Sequence, residues 1–273
     1  RGAAAAAPQA SLSANMQAWA QAQKIQGVQA LANALNELGL ENADVEVLSE
    51  LDEEDMTMIC GALKKYDAKK FKKGVDNDIK ERAKKEKAKK LLSDKGIVDI
   101  HKQDEEGETP LYRACRDNDM DVVTALLSMD GVDVNQANNQ GETPLVMASW
   151  RGHTEVVKAL LEMAAEDILV NQGDNGGYTP LFMASQDGHT EVVKLLLQTG
   201  GIDVNQAMND GRTPLWQASQ EGHTEVVKLL LQTGGIKVNQ AKKNTGSTPL
   251  FMASQNGHTE VVKLLLQTGG IDV

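Results

Sequence analysis

Apolar residues in the later two thirds of the chain recur at helical spacing, in short runs separated by polar turns that contain glycine. In the run 156–161, Val-Val-Lys-Ala-Leu-Leu, the apolar residues stand at positions i, i+1, i+4 and i+5, which places them on one stripe of a helix. A stripe of the same residue types returns at 192–197 and at 226–231. The pattern predicts several short amphipathic helices, each with one face to bury.

A threonine–proline pair marks a repeat of nearly constant length. It occurs at 109–110, 143–144, 179–180, 213–214 and 248–249, with spacings of 34, 36, 34 and 35 residues. Thr143 can cap a helix with its hydroxyl, and Pro144 suits the first helical position because its missing N–H costs nothing there. Gly152 can take the left-handed conformation that ends helices. We therefore predict a helix over about 144–151 and a second one from Thr154, with a Gly-Gly pair closing the second helix of the later repeats.

One helix pair is too small to bury its apolar face alone, so neighbouring pairs must stack into a solenoid. The motif T-P-L-x-x-A-x-x-x-G-H-x-E-V-V-K-x-L-L, which recurs every 34 to 36 residues, resembles the ankyrin repeat over roughly residues 90–273. The resemblance implies an all-α fold: an ankyrin-repeat solenoid of helix-turn-helix repeats with short hairpin-like turns, preceded by a small helical module. Where the family usually has His after T-P-L, this chain has bulky residues that we expect to pack instead of forming a hydrogen bond: Tyr112, Val146, Phe182, Trp216 and Phe251.

The N-terminal third has a different pattern. Residues 1–15 are rich in alanine and predict a disordered tail, and residues 16–63 predict a small helical module because apolar residues recur near helical spacing from Met16 to Leu38. The sequence L-G-L at 38–40 and an acidic E-D-M turn at 54–56 resemble a sterile-alpha-motif domain. That resemblance implies a helical module for protein interaction.

Charge is segregated along the chain. The formal net charge is −11, yet residues 64–97 alone carry a net +8, against −7 before them and −12 after them. We interpret 64–97 as a basic linking and capping helix, since Glu81 and Glu86 stand four residues before Lys85 and Lys90 and so support a solvated helix. Nucleic-acid contact or nuclear import through residues 80–90 is the alternative.

Residue 98 begins the repeats proper, of which five units are recognisable in 98–273. The chain stops at Val273, just before the expected Asn-Gln turn of the fifth repeat. No polar capping repeat follows, although solenoids normally need one. We therefore expect the array to be truncated at its C-terminus.

The candidate chemistry of the chain argues against catalysis. The histidines of the repeats (His153, His189, His223 and His258) occupy equivalent positions about 10 Å apart, too far for zinc ligands that must lie about 2 Å from one ion. Cys115 stands where other repeats have Ser and is expected in the core. We expect no enzyme activity, cofactor or metal. Two distant cysteines favour a reducing, intracellular location, cytoplasmic with the nucleus as an alternative.

Binding to another protein is the function that the resemblance implies, through turn tips and exposed residues of the first helix on the concave side. Trp, Tyr and Arg dominate interface hot spots, which directs attention to repeats two to four. The candidate partner-binding residues are Trp150, Arg151, Tyr178, Arg212, Glu142, Gln186, Asp187, Asn209, Asp210, Gln220 and Glu221. Because most positions on this face are small or acidic, we expect a partner with a polar or basic surface. We expect no membrane span in the chain itself.

Besides nucleic-acid contact through residues 80–90, two functional readings remain open at this point. The first is a non-catalytic scaffold or adaptor that binds a partner protein on the array. The second is a regulatory or targeting segment of a larger enzyme, a kinase or a ubiquitin ligase, whose catalytic domain lies outside residues 1–273.

Overall fold

A computed structural model of the chain describes residues 16–17, 20, 28–37, 51, 53–63 and 65–271. Within these ranges the secondary structure consists of helices and contains no strand, which confirms the predicted all-α class. The helices are α1 Val28–Glu37, α2 Glu53–Ala62, α3 Lys65–Asp94, α4 Pro110–Arg116, α5 Met120–Leu127, α6 Pro144–Trp150, α7 Thr154–Met163, α8 Pro180–Gln186, α9 Thr190–Leu197, α10 Pro214–Glu221, α11 Thr224–Leu231, α12 Pro249–Gln255 and α13 Thr259–Gln267.

The chain divides into an N-terminal unit, residues 1–87, and a repeat array, residues 88–273. In the N-terminal unit, Leu31 and Leu35 of α1, Ile59 of α2 and Phe71 of α3 are fully buried in one apolar cluster. The expectation of an acidic turn at 54–56 is wrong, because these residues lie near the start of helix α2. Acidic residues favour the start of a helix. The other half of that resemblance, residues 38–40, lies outside the described residues.

Helix α3 is 30 residues long and carries a charged side chain at more than half of its positions. Phe71 and Val75 are buried in the N-terminal unit, whereas Ala88 and Leu92 are buried in the core of the repeat array. No helix in the part of the chain that the structure describes is long and apolar enough to cross a membrane.

Each repeat of the array is built as the capping signals predict. The Thr143 hydroxyl accepts a hydrogen bond from the Val146 N–H at 3.2 Å, with Pro144 at the first helical position, and the same cap recurs at Thr109, Thr179, Thr213 and Thr248. The expected role of the Gly-Gly pairs is wrong. The second helix of the third repeat ends at Leu197, and Gly201, with φ of 79°, belongs to the turn that follows.

The apolar stripes of successive repeats merge into one core. Val156, Val157 and Leu160 are fully buried, as are their counterparts in the next two repeats. The first helices of the repeats pack against one another more extensively than the second helices do. We call the exposed side of the first helices, together with the turn tips, the inner surface.

Candidate partner-binding surface

The turn tips of the inner surface form a continuous hydrogen-bonded ladder. Each tip is closed internally, as when the Asn138 N–H donates to the Glu142 carbonyl at 3.0 Å. Each tip also donates to the one before it: the N–H of Asn175 lies 3.1 Å from the carbonyl oxygen of Gln140, and that of Asn209 lies 3.1 Å from the carbonyl oxygen of Gly176. Such bonds fix the spacing of the tips and thereby the spacing of the first helices that follow them.

Asn209, a predicted contact residue, takes part in this ladder through its side chain. Its Nδ2 donates to the Asn175 carbonyl at 3.0 Å, and Asn139 in turn donates to the Glu105 carbonyl at 2.9 Å. Asn209 is still exposed. It therefore stabilises the inner surface and can meet a partner with the remaining capacity of its amide.

Three of the bulky residues that replace the usual His face the residue that precedes Thr-Pro in the next repeat: Tyr112, Phe182 and Trp216. The Tyr112 hydroxyl donates to Glu142 at 2.7 Å, and the Trp216 Nε1–H donates to the Ser247 carbonyl at 2.8 Å. The expectation that these residues give up hydrogen bonding is therefore wrong for both. The pKa of the Tyr112 hydroxyl is raised, mainly because it is buried and secondly because it donates a hydrogen bond to Glu142. The phenol therefore stays protonated and remains a donor.

Arg212 is held between two aromatic rings. Its guanidinium carbon lies 5.8 Å from the ring centres of both Phe182 and Trp216, within the range of cation–π attraction. The same guanidinium donates to Asp210 at 2.9 Å and to Gln217 at 3.1 Å. Burial acts to raise the pKa of Asp210, but hydrogen bonds from the backbone and side chain of Arg212 lower it on balance. Arg212 thus connects repeats three and four through Phe182, and Asp210 holds its guanidinium in place.

Trp150 and Tyr178 are half-buried against a small cluster formed by Val146, Phe182, Met183 and Met208. The Tyr178 ring meets the Phe182 ring edge to face at 5.4 Å. Arg151 is exposed, and its guanidinium lies 5.6 Å from the Trp150 ring centre. In the middle of the inner surface the half-buried rings of Trp150 and Tyr178 are therefore partly exposed, with a cation beside Trp150.

The remaining predicted residues stand at the C-terminal ends of the first helices. Asp187 and Glu221 are exposed and accept hydrogen bonds from the side chains of Gln186 and Gln220, their immediate neighbours. Together with Arg151 they form a line along successive repeats, which we call the exposed row: Arg151, Asp187 and Glu221. None of the three uses its charged group to hold two repeats together.

The repeat histidines serve the packing between repeats. Each Nε2 atom lies between 2.8 and 3.1 Å from a carbonyl oxygen at the end of the first helix of the repeat before it. A Cβ at Gly152 would lie 2.5 Å from Nδ1 of His189, so the Gly-His pair interlocks one repeat with the next. The same hydrogen bond thus recurs for all four histidines, with its acceptor in the preceding repeat.

Cys115 is completely buried, as predicted, and burial raises the pKa of its thiol, which disfavours the nucleophilic thiolate. The equivalent Ser149, Ser185 and Ser219 are buried too. Among the described residues, no group of three or more His, Cys, Asp and Glu side chains is arranged to hold a metal ion.

The structure brings three of the eleven predicted residues, Glu142, Arg212 and Asp210, into two small clusters with aromatic side chains. Glu142 pairs with Tyr112, while Arg212 and Asp210 join Trp216. Lys242, a turn-tip position of the fifth repeat, lies 3.6 Å from Asp210 and 5.8 Å from the Trp216 ring centre. Sequence reasoning missed Gln217, which accepts a hydrogen bond from Arg212. The pairing of Tyr112 with Glu142 and of Phe182 with Arg212 did have a signal in the sequence, because the bulky position and the position before the next Thr-Pro both vary from repeat to repeat, about 30 residues apart.

Comparison with known families agrees with this architecture. A family model described as ankyrin repeats (3 copies) matches three overlapping stretches, residues 79–172, 165–242 and 203–273. More than two thirds of the chain is covered, and the chain belongs to the ankyrin-repeat family. No curated protein matches it as a relative. Ankyrin repeats are in general protein-interaction modules and are typically non-catalytic.

Proposed function

We propose that this chain is a non-catalytic scaffold that binds a partner protein along its inner surface and turn tips. The support is a difference between two exposed faces. On the second helices the same charged residues return in repeat after repeat, as with Glu191 and Glu225, whereas the exposed row changes from Arg151 to Asp187 to Glu221. Identical faces suit a uniform scaffold, and a variable face suits recognition.

The chemistry of the exposed row favours a partner with basic groups. Asp187 and Glu221 lie at the C-terminal ends of α8 and α10, where the helix dipole disfavours negative charge. These acids therefore do not stabilise their helices. Their role in this proposal is to attract a cationic segment of the partner. Arg151 and the half-buried Trp150 beside it offer a hot spot of the kind common at interfaces.

The test compares two double variants with the same charge change in the same two repeats. The full-length chain is used to capture its partner, which is then purified for titration with each variant. We expect Asp187→Ala/Glu221→Ala to weaken binding by about tenfold or more, as loss of interfacial charge contacts does. Glu191→Ala/Glu225→Ala, on the second helices, should stay within about twofold. Equal effects would contradict binding on the inner surface.

Trp150 is tested by itself, because its half-buried ring also packs on the array. We expect Trp150→Ala to reduce affinity more than it reduces the free energy of unfolding, measured by urea denaturation. A proportional loss of both would assign Trp150 to the core. An intracellular location is proposed with this function, cytoplasmic or nuclear, because both cysteines are free thiols.

A further inference from the structure

An open groove of about 530 Å³ lies in the N-terminal unit, where α2 meets the first half of α3. Its walls include the Cys60 thiol of α2 and four lysines of α3: Lys69, Lys72, Lys73 and Lys80. All four lysines are exposed and Cys60 is half-buried. The groove belongs to neither the repeat array nor the proposed partner-binding surface.

The four lysines share one side of α3. Their spacings of three, four and eleven residues from Lys69 put them on a common face, and a rise of about 1.5 Å per residue makes the row roughly 16 Å long. Phe71 and Val75 point the other way and are buried in the unit's core. The core of the N-terminal unit therefore orients the lysine row into the groove.

These lysines lack the compensation found further along α3. Lys85 lies 3.9 Å from Glu81, one turn earlier in the helix. Among the described residues, none of the four groove lysines forms a comparable ion pair, and Asp76 is the single acid on the groove wall. Asp76 stands four residues from both Lys72 and Lys80, but one acid against four lysines leaves this face with a net positive charge.

We propose that this groove binds clustered phosphate groups, carried either by a small soluble molecule or by a phosphorylated lipid headgroup. Lysine ammonium groups bind phosphate as point charges, and several of them in one groove match an anion with several phosphates. The volume lies in the range of small-molecule sites. No described side chain lining the groove is aromatic, which disfavours a single nucleic-acid strand, because its bases stack on aromatic rings.

Cys60 provides a built-in reporter of occupancy. Burial raises the pKa of its thiol and the nearby Lys72 lowers it. A bound phosphate cluster would cover the sulfur and offset the charge of Lys72, and both effects slow alkylation by iodoacetamide, which needs the thiolate. Cys115 is fully buried and reports unfolding instead.

The experiment measures the alkylation rate of Cys60 in the full chain against the concentration of inositol hexakisphosphate. We expect saturable protection, with affinity weakened by about tenfold or more in Lys72→Gln/Lys73→Gln, since two charge-assisted contacts are lost. The matched control, Lys84→Gln/Lys87→Gln, removes the same charge from exposed positions of α3 outside the groove and should stay within about twofold. Retained protection of Cys115 and unchanged circular dichroism show that each variant is folded.

A second arm uses vesicles of phosphatidylcholine that contain phosphatidylinositol bisphosphate, with phosphatidylserine vesicles of equal charge as control. Protection by one phosphate source, with the loss confined to the groove variant, supports the proposal and names the source. Equal losses in both variants would show diffuse attraction and overturn it, as would absence of protection by either source. Protection by a long oligonucleotide alone would also overturn it, in favour of a nucleic-acid site.

Discussion

At the scale of the residue, the position before the Thr-Pro pair connects two repeats at three places in the array. Glu142 accepts from Tyr112, Arg212 lies against Phe182, and the Ser247 carbonyl accepts from Trp216. Each pair uses different chemistry at the same geometric position. Neighbouring repeats are therefore matched to each other individually, so exchanging two repeats would leave polar groups without partners.

In the first repeat, Asp119 takes the place of the histidine that later repeats have between their two helices. It stands where later repeats have His, caps α5 by accepting from the Val122 N–H at 3.2 Å, and pairs with Lys95 at 2.9 Å. The hydrogen bond from Lys95 is the main reason why the pKa of Asp119 is lowered. Its charged form is thus favoured in the folded state.

We expect the stability difference between the wild type and Asp119→Asn to depend on pH. A carboxyl whose pKa is lowered on folding stabilises the protein above its unfolded value of about 3.9, and this stabilisation disappears as the pH falls through the lower folded value. Asn keeps the cap but not the charge. The variant should lose roughly 0.5 kcal/mol at neutral pH, as for a partly exposed ion pair, and nothing at the lowest pH where both fold. Urea unfolding across the acid range measures this, and a constant difference would exclude the linkage.

At the scale of the element, the turn between the two helices of a repeat is also a contact with the next repeat. Gly188 has φ of 73°, and a Cβ there would lie 2.6 Å from Nδ1 of His223. Gly257 has nearly the same φ, 75°, yet a Cβ there would meet no atom within 4 Å. Comparing substitutions at the two glycines therefore distinguishes the cost of backbone strain from the cost of a clash with the next repeat.

Gly188→Ala should therefore destabilise the protein more than Gly257→Ala. Both place Ala in the left-handed region at a cost of about 1–2 kcal/mol, and Gly188→Ala must also displace the His223 ring. We expect an additional loss of about 1 kcal/mol or more, since the hydrogen bond from His223 to the Gln186 carbonyl is disturbed. Denaturant unfolding of both variants provides the comparison, and equal losses would show that the His ring yields freely.

At the scale of the whole molecule, position in the array decides what a given sequence does. The heptapeptide Pro-Leu-Phe-Met-Ala-Ser-Gln forms both α8 and α12. Phe182 in α8 is completely buried, whereas Phe251 in α12 is 54% exposed. The expectation of a packed residue at this position is confirmed for Phe182 and is wrong for Phe251, because the fourth repeat covers the first ring and no described repeat covers the second.

Truncation of these two phenylalanines should have very different effects. We expect Phe182→Ala to reduce the free energy of unfolding by about 3–5 kcal/mol, the cost of a large cavity in a core. Phe251→Ala should cost less than about 1 kcal/mol, because its ring already meets solvent. Thermal and urea unfolding of the two variants test this. Similar losses would mean that the end of the array is covered in solution.

The features that depend on residues close in sequence could be predicted. The Thr-Pro caps, the apolar stripes and the helix starts follow from interactions between residues up to four positions apart, and the period of the repeat then requires stacking. The inner-surface positions were reached through the family resemblance. Their role as binding residues stays a prediction.

Sequence by itself thus determined the repeating helix pair and the face that each pair must bury, because backbone capping and periodicity are local. Only the tertiary structure decided that Arg212 is clamped between Phe182 and Trp216, that Cys60 of α2 joins a lysine row of α3, and that identical heptapeptides differ in exposure. The physical reason is that these properties depend on which groups from separate elements exclude water from one another, and spacing along the chain does not specify that.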